Sequence, residues 1–478
     1  MNFRMIFFII GQIMKIEGFA MICPMIVGFI YGEYDVIYSF GVPIVILLLM
    51  GFILTFKRPK NNSIYAKEGF VSVALAWIVM SAIGGLPFLI SGDIPSVADC
   101  FFETVSGFTT TGATILTDID GMSKSCHFWR ALTHWIGGMG ILVFALAILS
   151  NNDTRTMHIM RAECAGPKVG RIVSKSKSTA RILYLIYIIL TFIEIILLML
   201  GGMPLFDSII NSFSTAGTGG FSIHGTSIAY YNSSYIEIVI SIFMILFGIN
   251  FSLYYLIITK KVLQVLKDEE LRTYIAIIFV STILIAINIY DTCQNAGKAF
   301  IDALFQVSAT ITSTGFATAD FTEWPVFSQT VILMLMFVGA CAGSTGGGLK
   351  VSRVIILFKT GLKEIKYVLN PRSVQTVKLN GKALENEIVR GVSSYIVIFF
   401  FIFFASWLML SADKFDVAET FSAVTACMNN IGPGLGRLGP SGSFSGFSDA
   451  SKYILSFDML IGRLEIYPVL MIFSLFKK

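Results

Sequence analysis

FTTTGATI, residues 108–115, sets three threonines against a glycine inside a chain that is otherwise oily. Three other segments resemble it: AGTGGFSI at 216–223, ITSTGFAT at 311–318 and MNNIGPGL at 428–435. Aligning Gly112, Gly220, Gly315 and Gly432 needs no gap over the fourteen residues that end there. Two places before the glycine stand Thr110, Thr218, Ser313 and Asn430, all polar. Thirteen places before it stand Asp99, Asp207, Asp302 and Glu419, all acidic. Four acids in one column make the chain a fourfold repeat, and a repeat sets the architecture before local propensity does.

The surroundings of the repeats are those of a membrane protein. Hydrophobic residues make up 55% of the 478, charged residues only 14%, and the mean hydropathy is +0.77; soluble domains carry roughly 25% charged residues. Apolar runs at 37–56, 182–200, 236–258, 274–289 and 388–410 approach or reach the ~20 residues that cross a bilayer as a helix. The first run, 7–30, lacks a small-residue cleavage site and reads as a spanning helix, not a signal peptide.

Lysine and arginine concentrate in alternate loops: Lys57, Arg58, Lys60 and Lys67; Arg155, Arg161, Lys168, Arg171, Lys175, Lys177 and Arg181; Lys260, Lys261, Lys267 and Arg272; Lys359, Lys363, Lys366, Arg372, Lys378, Lys382 and Arg390; then Lys477 and Lys478. The loops between them are acidic or neutral. Both termini are therefore expected in the cytoplasm of a multi-pass inner-membrane protein. The net charge of +5 belongs to these loops and is no nucleic-acid footprint. The seven cysteines are isolated and the four histidines scattered, so neither a disulfide frame nor a metal cluster is indicated.

Between successive basic loops lie two apolar helices and one polar Gly/Thr-rich insert on the outer side. In each insert the acid is expected to start a short helix, favoured by the free N–H groups there. About ten residues of helix descend roughly 15 Å, half a bilayer. The chain then returns as an extended Thr-x-Gly stretch, tolerated at that depth only if protein buries it or it lines water. The negative ends of the short helices favour a cation, and the glycines let carbonyls aim inward.

Helix, half-helix, Thr-x-Gly loop, helix resembles the subunit of a potassium channel, whose filter replaces the ion's hydration shell with carbonyls. Four unequal copies, TTGAT, TGGFS, STGFA and NIGPG, resemble the Trk/Ktr/HKT superfamily of potassium transporters. Two additional N-terminal helices, with HWIGGMGILVF at 134–144, GACAGSTGGGLK at 339–350 and GRLEIYP at 462–468, make the chain most similar to the bacterial TrkH/TrkG branch. The resemblance covers nearly the whole chain. It implies an all-α polytopic membrane protein of about ten transmembrane helices, in which four pseudo-fourfold M1–P–M2 repeats follow the two extra helices. The expected divisions are 1–60 for those two helices, then repeats at 61–155, 156–265, 266–375 and 376–478.

The resemblance also implies potassium uptake through a selectivity filter of Thr110, Thr111 and Gly112; Thr218, Gly219 and Gly220; Ser313, Thr314 and Gly315; Asn430, Ile431 and Gly432. K⁺ would be held at Thr110, Thr111, Thr218, Gly219, Ser313, Thr314, Asn430 and Ile431, with Rb⁺ or Na⁺ as competitors. It implies a homodimer and a separate TrkA-type cytosolic regulatory subunit that binds NAD or ATP.

Below the third filter segment, Gly339, Gly343, Gly346, Gly347 and Gly348 interrupt a helix at membrane depth. The loop is no nucleotide-binding P-loop, because the position that needs lysine is Leu349. A flexible gate is expected, formed by Gly343, Gly346, Gly347, Gly348 and Lys350. Arg463 is expected midway along a last helix, 452–476, and an arginine at that depth is costly unless paired or wetted. The resemblance implies that Arg463 projects into the pore as a barrier to cations and belongs to the gate; the alternative is an ion pair with Glu465 or Asp458, of which Glu465 is disfavoured because i and i+2 do not share a helix face. Glu103, within the first short helix, could brace the filter from behind. A secondary transporter would show two broken helices in inverted halves, against four inserts of one topology here. An intramembrane enzyme would need a nucleophile–base pair or metal set, which the sequence does not display.

Overall fold

The structure, a computed structural model, describes residues 2–57, 59, 65–140, 176–373 and 375–472. The basic residues Arg58, Lys60, Arg155, Arg161, Lys168, Arg171, Lys175, Lys477 and Lys478 lie outside the described residues, as does the 141–144 end of the first glycine-bearing motif.

An apolar core around Trp77, Trp129 and Phe102 is buried, yet many large apolar side chains are exposed as well and many hydroxyls lie inside. Val45, Leu49, Ile53, Phe401 and Leu408 are exposed, whereas Thr104, Ser106, Thr109, Thr110 and Thr111 are buried. Among the described residues, six helices are long and apolar enough to cross a bilayer: Phe3–Tyr31, Val36–Thr55, Lys67–Ser91, Arg181–Leu200, Glu269–Asn288 and Asn386–Leu410. A seventh span is the pair Ser234–Phe247 and Phe251–Ile258, which meets at 90°. Among the described residues the other regular elements are shorter helices and a two-stranded hairpin, Lys378–Leu379 with Lys382–Ala383.

The count of six or seven falls short of the expected ten for a physical reason. The helix that follows each polar insert does not run on as one rod. The Lys124–Gly138 helix ends at Gly138, and Gly140 takes φ +75°. The expected span at 236–258 bends between Phe247 and Phe251. Val326–Val338 stops at Gly339, and helix resumes only at Val351. The expected final helix at 452–476 is instead Asp449–Leu464, a break at Glu465 with φ +64°, and the short helix Ile466–Leu470. Arg463 therefore sits in the last turn of a helix, not midway along one.

Four shorter helices, Val97–Phe108, Leu205–Gly217, Ala296–Ile311 and Val417–Met428, carry the polar inserts. Their lengths of 12, 13, 16 and 12 residues correspond to roughly 18–24 Å at 1.5 Å per residue. Asp99, Asp207 and Glu419 lie in the first turn, as expected. Asp302 does not: its helix begins six residues earlier at Ala296, capped by the Asn295 side chain on Gly297 and Lys298 N–H. What unites the four acids is that each has a polar partner. Asp99 pairs with Lys452 at 2.5 Å and Asp302 with Lys298 at 2.9 Å. Asp207 accepts from Tyr231 Oη at 2.8 Å, and Glu419 from Arg437 N at 3.0 Å.

Candidate functional site

Each short helix ends in the same way. Thr110, Thr218, Ser313 and Asn430 take φ of 55°, 56°, 58° and 55°. The N–H of each bonds to the carbonyl three residues back, and the next N–H reaches five back: Thr111 to Ser106 at 2.9 Å, Gly219 to Ser214 at 2.9 Å, Thr314 to Ala309 at 2.8 Å, Ile431 to Ala426 at 2.9 Å. This is a Schellman termination, whose left-handed position normally holds glycine. A threonine there costs about 1–2 kcal/mol. Three copies hold a hydroxyl residue at that angle and one an asparagine, so all four keep a polar side chain there.

The glycine two residues later closes the geometry. Gly112, Gly220, Gly315 and Gly432 take φ of 78°, 77°, 79° and 97°. A Cβ on Gly112 would overlap the Gly219 carbonyl oxygen, one on Gly220 the Thr314 oxygen, and one on Gly315 the Ile431 oxygen. One on Gly432 would sit 2.8 Å from the Thr111 oxygen. The contacts run from copy to copy and return to the first, so the four loops form a closed ring. Each glycine is required twice, by its backbone angle and by its neighbour's carbonyl. All four line one open cavity, together with Thr114, Arg130 and His224. At its rim His224 Nδ1 lies 2.7 Å from Asp120 Oδ1 and stacks on Tyr230. That hydrogen bond holds the Asp120 carboxyl below its usual value.

Behind the ring the support is polar. Glu103 accepts from Thr114 Oγ1 at 3.0 Å and Ile115 N at 3.0 Å, bracing the strand that leaves the first loop. Its charge is met by Arg130, 2.8 Å away, with both side chains buried. Arg130 also lies over the Phe221 ring of the second loop, 4.0 Å from its centroid. Sequence reasoning pointed to Glu103 and missed Arg130. An arginine inside the apolar run CHFWRALTHW was the available signal. The second copy's doubled glycine also has a cause: a Cβ on Gly219 would come within 2.5 Å of the His134 ring, which stacks on Phe221.

The glycine motifs outside the ring let the outgoing helices press onto its underside. A Cβ on Gly137 would overlap the Phe108 carbonyl, and one on Gly462 the Met428 carbonyl. Gly347 in the interrupted helix donates to Ser313 Oγ at 2.5 Å. Its loop also pairs with the bent span, Cys341 N on Gly248 O at 3.1 Å and Phe251 N on Gly343 O at 3.0 Å. Lys350 does not reach away from the loop; its Nζ folds back onto the Gly346 and Gly347 carbonyls. Arg463 donates to Thr345 O at 2.6 Å, Gly137 O at 2.5 Å and Gly138 O at 2.6 Å. It thus joins the glycine loop to the end of the first outgoing helix. Glu465 pairs with Arg353 at 2.5 Å, and Asp458 accepts from Ser406 at 2.8 Å.

The TrkH family, described as cation transport protein, matches residues 39–477. The Trk system potassium uptake protein TrkH of Salmonella typhimurium strain LT2 is 37% identical to this chain over 484 residues, 99% of each. TrkG of Escherichia coli K12 is 32% identical over 478 residues, 98% of each. The crystal structure of the potassium transporter TrkH from Vibrio parahaemolyticus superposes with a TM-score of 0.88 at 34% identity, covering 99% of this chain and 98% of that one.

Proposed function

This chain belongs to the TrkH family of cation transport proteins, transporters and not enzymes, and we propose that it takes up potassium through the ring of four loops. The observation that carries this reading is the closed sequence of carbonyls at Thr111, Gly219, Thr314 and Ile431, each against the preceding copy's glycine. Such a ring can replace the water around a dehydrated cation. Four helix C-termini converge there, each bearing roughly −0.5 charge. The protein's own hydrogen bonds leave Thr110 Oγ1 and Asn430 Oδ1 buried and unsatisfied, acceptors that a cation would complete. On this reading the fold is four M1–P–M2 repeats in pseudo-fourfold array behind two additional N-terminal helices.

The glycine loop and Arg463 obstruct the path below the ring. Arg463 brings a fixed positive charge to the level of the loop and raises the barrier to cations until the loop moves. Opening is set from the cytoplasm by a TrkA-type nucleotide-binding subunit, and the membrane unit works as a homodimer in the inner membrane with both termini inside. The lysines at 260, 261, 267, 359, 363 and 366 support that orientation. The test is ⁸⁶Rb⁺ flux into liposomes with Na⁺ and K⁺ as competitors. K⁺ should compete far better than Na⁺; equal competition overturns the substrate.

A further inference from the structure

The glycine loop is held by Arg463 on Thr345 O and by Ser313 on Gly347 N. It is also held by Glu270, a residue that no role of the filter or pore calls for. Glu270 Oε1 accepts from Ala342 N at 2.7 Å and from Ser352 N at 3.1 Å. Those two amides stand at the two ends of the loop. Val351 N to Ala340 O, 3.0 Å, crosses the same neck. One carboxylate oxygen therefore fastens the loop's entrance to its exit.

The position of Glu270 is in turn set by its neighbours. Asp268 caps the Glu269–Asn288 helix by accepting from Leu271 N at 3.0 Å. Asp268 also accepts from Asn380 Nδ2 at 2.8 Å, and Glu269 N donates to Asn380 Oδ1 at 2.7 Å. Asn380 N returns a bond to Glu269 Oε2 at 3.1 Å. Lys359, on the helix that leaves the loop, bonds Glu269 and also Lys378 O. Asn380 forms the turn of the hairpin, with φ +51°. Three consecutive residues thus link the loop's neck to an exposed hairpin turn.

We propose that Glu270 is a positioning residue that clasps the glycine loop shut, and that the 378–383 hairpin, acting through Asp268 and Glu269, is the handle that releases it. The reading of the loop as the gate is presupposed for the flux, but not for the clasp itself.

The test uses the full chain in liposomes with Cys341, buried in the loop, as the remaining cysteine. Its labelling rate with a charged methanethiosulfonate reports release of the loop, and ⁸⁶Rb⁺ flux reports the gate. Glu270→Leu should raise both about tenfold or more, the factor expected for losing the two hydrogen bonds that its Oε1 accepts, with Na⁺ competition unchanged. Glu270→Gln, which keeps an acceptor oxygen, should stay near the parent. Asn380→Ala, on the exposed turn, should raise labelling by a smaller factor and serves if Glu270→Leu fails to fold. Parent-like labelling in Glu270→Leu or, where that variant does not fold, in Asn380→Ala overturns the clasp. So does a Glu270→Gln variant that labels as fast as Glu270→Leu. Faster labelling at parent flux supports the clasp and rejects the gate. The gate is also read separately by deletion of 340–346, which should raise flux.

Discussion

The ring and the loop beneath it are both built on glycine, and they use it in opposite ways. In the ring, glycine meets backbone: each of the four faces the carbonyl oxygen of the next copy, and the same angles recur four times. Nothing there can shift without moving a neighbour. The loop has backbone ties to the bent span, Cys341 N on Gly248 O and Phe251 N on Gly343 O, but to these it adds side-chain latches: Arg463 on Thr345 O, Lys350 on the Gly346 and Gly347 carbonyls, Ser313 on Gly347 N and Glu270 on Ala342 N. Side chains can let go singly. A ring over-determined by backbone suits discrimination between ions, and a loop latched by side chains suits motion.

The comparison breaks most sharply at Gly315. A serine there must take φ near +79° and place Cβ onto the Ile431 carbonyl. Gly315→Ser should cost at least about tenfold in K⁺ preference over Na⁺, the equivalent of 1.4 kcal/mol, with the protein still folded. Normal K⁺-dependent growth of an uptake-deficient host would remove the ring from the filter.

On stability, not selectivity, the largest effect belongs to the brace behind the ring. Arg130→Met leaves Glu103 charged and buried, which should cost about 3–5 kcal/mol of stability. Melting in detergent reads it, and an unchanged midpoint would mean that the pair supports nothing.

In the loop the effect should fall on rate. Arg463→Ala removes the three bonds to Thr345, Gly137 and Gly138 and should raise ⁸⁶Rb⁺ flux about tenfold or more. Its K⁺/Na⁺ ratio should stay constant. Flux that stays level or falls contradicts the latch.

How much of this could be read in the chain follows from what each signal measures. The ring was legible because four columns had to agree, and a column of acids with a column of glycines survives divergence elsewhere. The backbone reason for Thr110 and its counterparts was not legible, since a left-handed helix end is ordinarily announced by glycine. The breaks at 248–250 and at Glu465 were hidden because hydropathy sums side chains and says nothing of backbone angles. Asp302 matched its column yet sits in the second turn, because Asn295 starts that helix earlier. Column position recorded an acid with a polar partner, not its place in the helix.

The smallest predicted effect separates strain from chemistry within the ring itself. Thr218 holds φ +56° and spends its hydroxyl on the Gly217 carbonyl at 2.6 Å. Thr218→Gly removes the steric cost of that angle, so the protein should gain about 1 kcal/mol and melt a few degrees higher. If the left-handed residue served only to end the helix, K⁺ preference would be untouched, since glycine ends helices better. If the position is kept polar for the ion, the same variant should be more stable and less selective. A gain in stability with full selectivity would assign the hydroxyl column to helix termination and leave the carbonyls as the sole discriminators.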